Sequence, residues 1–457
     1  MKPYHRFHYI YSFQYIRYAF LLSVLPLIRA LLIFDLPSLI TALKQDGIIF
    51  IVVMLFSIVQ WLAAGYRYSG GRITIQQGVL LSRQTVISRP MIAAIELRQP
   101  LYCRLLGACV TTIYYKHRPK PVTLCLFYQD ALQLADEILP LKRESAIFRA
   151  VGAERLRFTV LSANLITTSI LTIVSAKKTA SSLGDELNQF AFSNLERMEK
   201  FIEQIFPVGL AWVTCLIFVL ASIALLFSFL YTAGFVVCRN GGVIVAKGGL
   251  ITKTERRILA SAVTACDVRT TPIARLLRCS TVYLHAGGFS GSDMPVMVYR
   301  RGNEEQLQKL MPEFYVSHSV LGPVRGRSLI QFIWLSGSAF LFFISLTAVS
   351  AWLMPDIAPL LGLPSFLLFI SLLVSLEAFF TESVRRSSNR TLELSYSRFL
   401  TRHRVCIFTS QTGFSFSQHP LLTYRQRCNL TLRLPCGLRF RVRSIPDYQA
   451  NTLPLIL

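Results

Sequence analysis

Apolar residues along this chain follow two different periods. Six runs are almost continuous and close to the 20 or so residues that cross a hydrocarbon core of roughly 30 Å. They cover Tyr18 to Phe34, Ile48 to Gly65, Phe158 to Val174, Ile205 to Phe229, Leu329 to Leu353 and Ile357 to Phe380, and each reads as a transmembrane helix. The runs pair through short or acidic connectors, so the expected order is hairpin then polar segment, three times over. The first run has a long aromatic approach and no small-residue cleavage site, and a second run follows closely, so it counts as a span and not as a secretory leader.

The polar segments carry the second period. RITIQQGVLLSRQTVISR (Arg72 to Arg89) alternates apolar and polar residues as a half-buried β-hairpin does, with its turn at Gly78. AAIELRQ, VTTIYY and VTLCLFY follow as further short strands, punctuated by Pro, Gly and basic residues. The period then changes to helical in QDALQLADEILP (Gln129 to Pro140), which has an acidic residue near its start and a terminating proline.

This pattern repeats at an offset of 171 residues: Gly71 faces Gly242, Gly78 faces Gly249, Arg98 faces Arg269, and Arg104, Leu105, Leu106 face Arg275, Leu276, Leu277. The second closing helix is NEEQLQKLMP (Asn303 to Pro312). A worn third copy lies at an offset of 321, where Arg83 faces Arg404, Arg104 faces Arg425, and Phe399 replaces the turn glycine. A unit of this size is a folded domain, since stacked solenoid repeats have periods of 20 to 50 residues. The expected divisions are an N-terminal segment with the first hairpin (1–65), a first roll (66–157), a second hairpin (158–234), a second roll (235–328), a third hairpin (329–380) and a degenerate third roll (381–457).

Composition supports a membrane protein: 53% of the 457 residues are hydrophobic and the mean hydropathy is +0.48. Charge then gives sidedness. The formal net charge of +24 resides almost entirely in the three long segments, which sum to plus eight, plus seven and plus nine, whereas each hairpin connector sums to minus one. Lys and Arg are retained on the cytoplasmic side, so the rolls and both termini are expected there. All ten cysteines fall in those segments or in the fourth run and its inner end, where thiols stay reduced.

A run of antiparallel strands closed by one amphipathic helix is the plan of a pleckstrin-homology-like β-roll. The stretch GRITIQQGVLLSRQTVISRPMIAAIELRQPLYCRLLGACVTTIYY, directly after a hairpin, resembles the bacterial pleckstrin-homology domain, once described as a membrane-flanked domain of unknown function. Three such units after three hairpins resemble the YdbT-like multipass membrane proteins. That resemblance implies the bacterial plasma membrane, a smaller companion membrane protein carrying one such domain, and a role in envelope maintenance or in resistance to membrane-active compounds. It implies no activity and no cofactor.

Searching for chemistry returns little. The seven histidines have no metal-ligand spacing such as HExxH, no GxSxG occurs, and the glycine-rich AGGFSGSDMP (Ala286 to Pro295) lacks a phosphate-binding lysine. Cys279 and His285 lie six apart in a strand pair, where a buried structural cysteine outweighs a catalytic dyad. No recognised nucleic-acid module is present. Within the apolar runs stand two charges, Arg29 and Glu377, which are candidate intramembrane functional residues; Glu377 is close enough to its helix end to reach the interface. The repeated Arg98, Arg104, Arg269 and Arg275, with Arg404 and Arg425, are the candidate contacts for partner protein or anionic lipid. The expected function is a non-enzymatic scaffold whose rolls bind protein, lipid or one another; the second reading is a transporter or export factor with regulatory rolls.

Overall fold

The computed structural model describes residues 5–12, 51–78, 82–117, 120–141, 146–162, 208–302, 304–314, 324–325, 329–354, 358–386, 391–408, 412–418 and 420–447. In the first roll, β1 (His5–Arg6), β2 (Gly65–Ser69), β3 (Arg72–Gln77) and β4 (Arg83–Ser88) form one antiparallel sheet in that order. The alternation read from the sequence is what folds it: Ile73, Ile75 and Ile87 are buried, while Arg72 and Arg83 face water. A second sheet follows from β5 (Ile92–Gln99), β6 (Ala108–Tyr115) and β7 (Val122–Phe127). Helix Tyr128–Ile138 closes the roll with Ala131, Leu134, Ala135 and Ile138, one stripe at i, i+3, i+4 and i+7.

The second roll repeats this plan. Its first sheet is β8 (Ala146–Arg149), β9 (Val236–Asn240), β10 (Val243–Gly248) and β11 (Lys253–Leu259). Its second is β12 (Val263–Thr270), β13 (Cys279–Ala286), β14 (Phe289–Ser290) and β15 (Met297–Arg300), closed by helix Glu305–Leu310. The worn third copy is a roll as well, with β16 (Val324–Arg325), β17 (Ser383–Arg386), β18 (Thr391–Arg398) and β19 (Thr401–Phe408), then β20 (Gly413–Ser417), β21 (Arg427–Arg433) and β22 (Arg439–Pro446).

A five-residue helix follows the first strand of each second sheet: Leu101–Leu105, Pro272–Leu276 and Pro420–Tyr424. Each ends in a left-handed residue, Gly107, Arg278 or Gln426, whose N–H donates to the carbonyl of Arg104, Arg275 or Thr423. This fixes the alignment of the third copy. Thr423, not Arg425, occupies the place of Arg104 and Arg275.

The rolls are not separate bodies. Strand β5 of the first roll pairs antiparallel with β11 of the second over six residues, from Lys253 opposite Gln99 to Ile258 opposite Ala94. The same junction recurs one roll later, where β12 pairs with β19 from Ala265 opposite Ile407 to Thr270 opposite Arg402. Two sheets of order β7-β6-β5-β11-β10-β9-β8 and β14-β13-β12-β19-β18-β17-β16 therefore run from roll to roll. Each seam satisfies a strand edge that would otherwise present unpaired backbone groups to water.

Six transmembrane helices are not supported. Among the described residues two helices are long and apolar enough, Phe332–Leu353 and Pro364–Thr381. At 1.5 Å per residue they span roughly 33 and 27 Å. Only 11% of each is buried, too little for the core helix of a soluble fold. They pack on each other with Ser336 donating to Ser375 (3.2 Å) and with Thr347 and Ser365 hydroxyls 2.9 Å apart. Of the other expected spans, Tyr18 to Phe34 lies outside the described residues. Of the run from Ile48, residues 48–50 lie outside the described residues and the described part is the helix Ile51–Ala63, which ends where the chain enters β2 at Gly65. The run from Phe158 begins inside helix Gly152–Ser162, where Phe158, Thr159 and Leu161 are buried against the second roll, and the rest of it lies outside the described residues. The fourth run falls in helix Val208–Tyr231, whose described apolar stretch is Ala221–Tyr231.

The last hairpin is tied to the third roll at its end. Glu382 accepts from Arg443 Nη2 (2.7 Å), and the Arg443 guanidinium lies 4.2 Å above the Phe332 ring.

Phe399 and Leu400 form the two-residue turn between β18 and β19, both left-handed (φ 47° and 62°), where the first two rolls use Gly78 and Gly249 in longer turns. Mirror-type hairpin turns favour Asn-Gly because other residues pay a steric cost of about 1–2 kcal/mol each. Replacing Phe399→Asn together with Leu400→Gly is therefore expected to stabilise the third roll by about 1 kcal/mol, seen as a higher unfolding midpoint of the detergent-solubilised protein. An unchanged midpoint would show that the turn carries no strain.

Candidate functional site at the inter-roll seams

The residues singled out by repetition meet at the seams. In the first seam Glu96 on β5 stands opposite Arg256 on β11, with Arg256 Nε 2.7 Å from Glu96 Oε1. Arg98 Nε reaches the same oxygen at 3.0 Å, and Tyr114 donates its hydroxyl to Oε2 at 3.0 Å. Glu96 and Arg256 side chains are only 3% and 7% exposed. Burial alone would push this carboxyl up; Arg256 and Arg98 outweigh it and hold Glu96 below its ordinary range. The neighbouring Arg257, also buried, pairs with Glu255 on its own strand and crosses the seam to Asp136 and the Leu139 carbonyl of the first roll.

The second seam repeats the logic with different residues. Asp267 on β12 is buried and accepts from Arg269 Nε (2.7 Å), while His403 Nδ1 of β19 lies 3.2 Å away across the junction. Burial opposes ionisation here too, but His403 and Arg269 hold Asp267 down at about 2. Arg269 covers the Tyr283 ring at 3.8 Å, and His403 stacks on Tyr396 with centroids 4.6 Å apart. His285 on β13 is fully buried, with neither ring nitrogen hydrogen-bonded among the described residues. Burial is the main reason it falls to about 4; Asp267 pulls it up, and Arg269 and His403 push it down.

The arginine of each five-residue helix clasps the next roll. Arg104 Nη1 lies 3.5 Å from the Leu250 carbonyl, and Arg275 Nη2 lies 2.5 Å from the Leu400 carbonyl, each in the turn that precedes the partner strand. Arg104 and Arg275 thus hold roll to roll, whereas Arg98 and Arg269 brace the seam acids Glu96 and Asp267 from their own strands. Arg404 binds Glu393 within its own sheet and reaches Glu304 of the second roll at 3.5 Å. Arg425 is exposed, two residues beyond the repeat position. Glu377 is not solitary: Arg275 of the second roll and Arg402 of the third both pair with it. Arg29 lies outside the described residues. Cys279 and His285 share strand β13, roughly 20 Å apart by strand rise, and form no dyad.

Beside the second seam, where both rolls meet the last turn of helix Ala358–Thr381, opens a cavity of about 460 Å³. Phe380 and Thr381 form its helix side, and Arg301, Arg385, Arg402, His403 and Arg404 outnumber Glu304 and Glu393 around it. Both acids are engaged by Arg404, and Arg402 is engaged by Glu377. Arg301 and Arg385 have no ion pair among the described residues, which leaves the cleft with uncompensated positive charge. Repetition between copies could not have singled out these two, nor Arg256, whose counterpart at an offset of 171 is Thr85.

The model of the bacterial PH domain matches residues 20–142 and again residues 192–313. The chain belongs to the bacterial PH domain family. The two matches cover just over half of the chain, each beginning ahead of a roll's main strands and ending near its closing helix. The third PH roll lies beyond them and is recognised by its topology. Membership of the bacterial PH family carries a membrane-associated, lipid- or protein-binding role. Neither the curated proteins nor the solved structures contain a match.

Removing one partner of a buried pair strands the other charge, at a cost of about 3–5 kcal/mol. Glu96→Gln is expected to lower stability by that order, and Glu96→Leu with Arg256→Met to recover most of it, as read by denaturant unfolding of the solubilised protein. Additive losses in the double variant would refute the pairing.

The second seam also sets a pH dependence. His285 is held neutral with a folded pKa of about 4 against an ordinary 6.5, so its contribution is present above pH 6.5 and is lost as pH falls towards 4. Asp267 adds a second loss between its ordinary 3.8 and about 2. The unfolding midpoint should fall between pH 7 and pH 5, and His285→Phe should flatten that slope; an equal slope in the variant would assign the titration elsewhere.

Proposed function

We propose that this protein is a non-enzymatic scaffold on the cytoplasmic face of a bacterial plasma membrane, in which three PH rolls act as one body and the cleft of the second seam holds the headgroup of an anionic phospholipid. The observation that carries this reading is the position of Arg301 and Arg385, without acidic partners among the described residues, in a cleft whose far wall is the end of a helix long and apolar enough to cross a membrane. An anionic phosphate supplies the missing counter-charge, and arginine suits phosphate because its fork of donors matches the oxygens. The cavity is of headgroup size, within the range of small-ligand sites.

The seams support the scaffold half of the proposal. Independent lipid-grasping modules would sit on flexible tethers, whereas these rolls share two continuous sheets. A transport pathway rested on six spans and on Arg29; two spans are supported and Arg29 lies outside the described residues, so no observation favours it.

Each arginine near an anionic surface contributes about 1 kcal/mol, so losing both corresponds to roughly thirtyfold in affinity. In nanodiscs containing anionic phospholipid, native mass spectrometry of the full-length protein should show stoichiometric retained lipid. Retention should drop by at least about tenfold in the Arg301→Glu, Arg385→Glu double variant and persist in the corresponding lysine variant. Equal retention in wild type and charge-reversed protein would sink the headgroup assignment.

A further inference from the structure

Among the edge strands of the described residues, two stand at seam positions with no seam partner, and they are the two halves of a seam. At each seam the first strand of one roll's second sheet (β5 or β12) pairs with the last strand of the next roll's first sheet (β11 or β19). In the third roll the donor position is held by β20, which among the described residues pairs only with β21. In the first roll the acceptor position is held by β4, which among the described residues pairs only with β3.

We infer that β20 of one copy of this chain pairs antiparallel with β4 of a second copy, forming a third seam in the register of the other two. The side chains argue for this occupant. Ser415 stands opposite Thr431 on β21, the place that Thr112 and Tyr283 take opposite Glu96 and Asp267, so Ser415 is the third-roll counterpart of those acids. Thr85 stands opposite Ile75 as Arg256 stands opposite Ala246. The free edges thus carry neither charge of the first seam's facing pair: β20 lacks the acid, and β4 lacks the base, as β19 does with Val405 opposite Asp267. Carrying the register of the internal seams outward sets Ser415 against Thr85, Phe414 against Val86, and Ser417 against Arg83. An arginine at that last position, as in Arg98 and Arg269, would have faced another cation.

The apolar residues agree. Phe414 and Phe416 occupy the places of Ile95 and Leu97, and of Cys266 and Val268, all buried in the internal seams, yet the two rings are 40% and 41% exposed. Val86 takes the place of Arg257 and Cys406 and is 54% exposed. An aromatic residue opposite a β-branched one is a favourable cross-strand pair. The free edges fit each other better than they fit the internal ones: β20 laid against β11 would leave Arg256 without its acid, and β5 laid against β4 would leave Glu96 without its base. The outer seam also lacks the arginine clasp, since Thr423 replaces Arg104 and Arg275. It is therefore weaker than the internal seams, and assembly is reversible.

The arrangement is head to tail, which closes into a ring when the rotation permits and extends otherwise. It does not depend on the lipid assignment, because its readout is the mass of the assembly. Full-length copies with different tags, one carrying Val86→Cys and the other Phe414→Cys, are co-expressed and oxidised in the membrane. Directly opposed positions in an antiparallel ladder lie within disulfide reach. A tag-to-tag cross-link of twice the chain mass is expected for this combination, at least about fivefold above Val86→Cys with Ser415→Cys, whose side chains leave opposite faces of the sheet. In native mass spectrometry at rising concentration the wild type should show dimers or larger, while Val86→Lys should run as monomer with an unchanged unfolding midpoint. Overturning results are a matched pair that cross-links no better than the mismatched pair, a wild type that stays monomeric throughout, or a different protein held stoichiometrically on β4 or β20.

Discussion

The structure depends on one constraint, that the edge of a sheet must be paired. Each roll consists of two small sheets, and the second sheet of one roll finds its partner strand in the first sheet of the next. The remaining features of the seams follow from that contact. Once β5 lies between β6 and β11 it is shielded from water, so a carboxylate within it survives only with cations placed against it, and Arg256 and Arg98 meet that requirement. Asp267, with Arg269 and His403, answers the same demand one roll later.

The rolls were legible because they are built on alternation, and alternation with one buried face is the strongest sequence sign of an antiparallel strand. The closing helices were legible for the corresponding reason at the helical period. The span count was overdrawn because hydropathy does not distinguish burial in lipid from burial in protein. Phe158 opens an apolar run, yet it stacks on Phe235 at 4.7 Å inside the second roll. Gly65 closes another run and belongs to a strand.

The seams were hidden from sequence for a different reason. Pairing between edges is made by backbone groups, which every residue but proline carries, so it leaves no periodic mark. The trace it does leave is negative: β5 and β12 are nearly continuous in their burial, as strands shielded on both faces are, and each holds a lone acid. Repetition correctly singled out Arg98, Arg104, Arg269 and Arg275 as special, but their recurrence reflects a recurring junction. The cleft cations without an ion pair among the described residues are instead Arg301 and Arg385, which no copy repeats.

Glu377 has a mechanical consequence. One carboxylate near the end of helix Ala358–Thr381 is gripped by an arginine from each of two rolls, and those rolls are joined by the β12–β19 ladder. Tilting that helix displaces a shared anchor, so the load arrives along the strands, across hydrogen bonds that lie perpendicular to them. Loaded in shear, the six paired residues of the ladder resist together and do not peel open one after another. The seam is thereby a stiff strut between that helix and the two rolls it anchors.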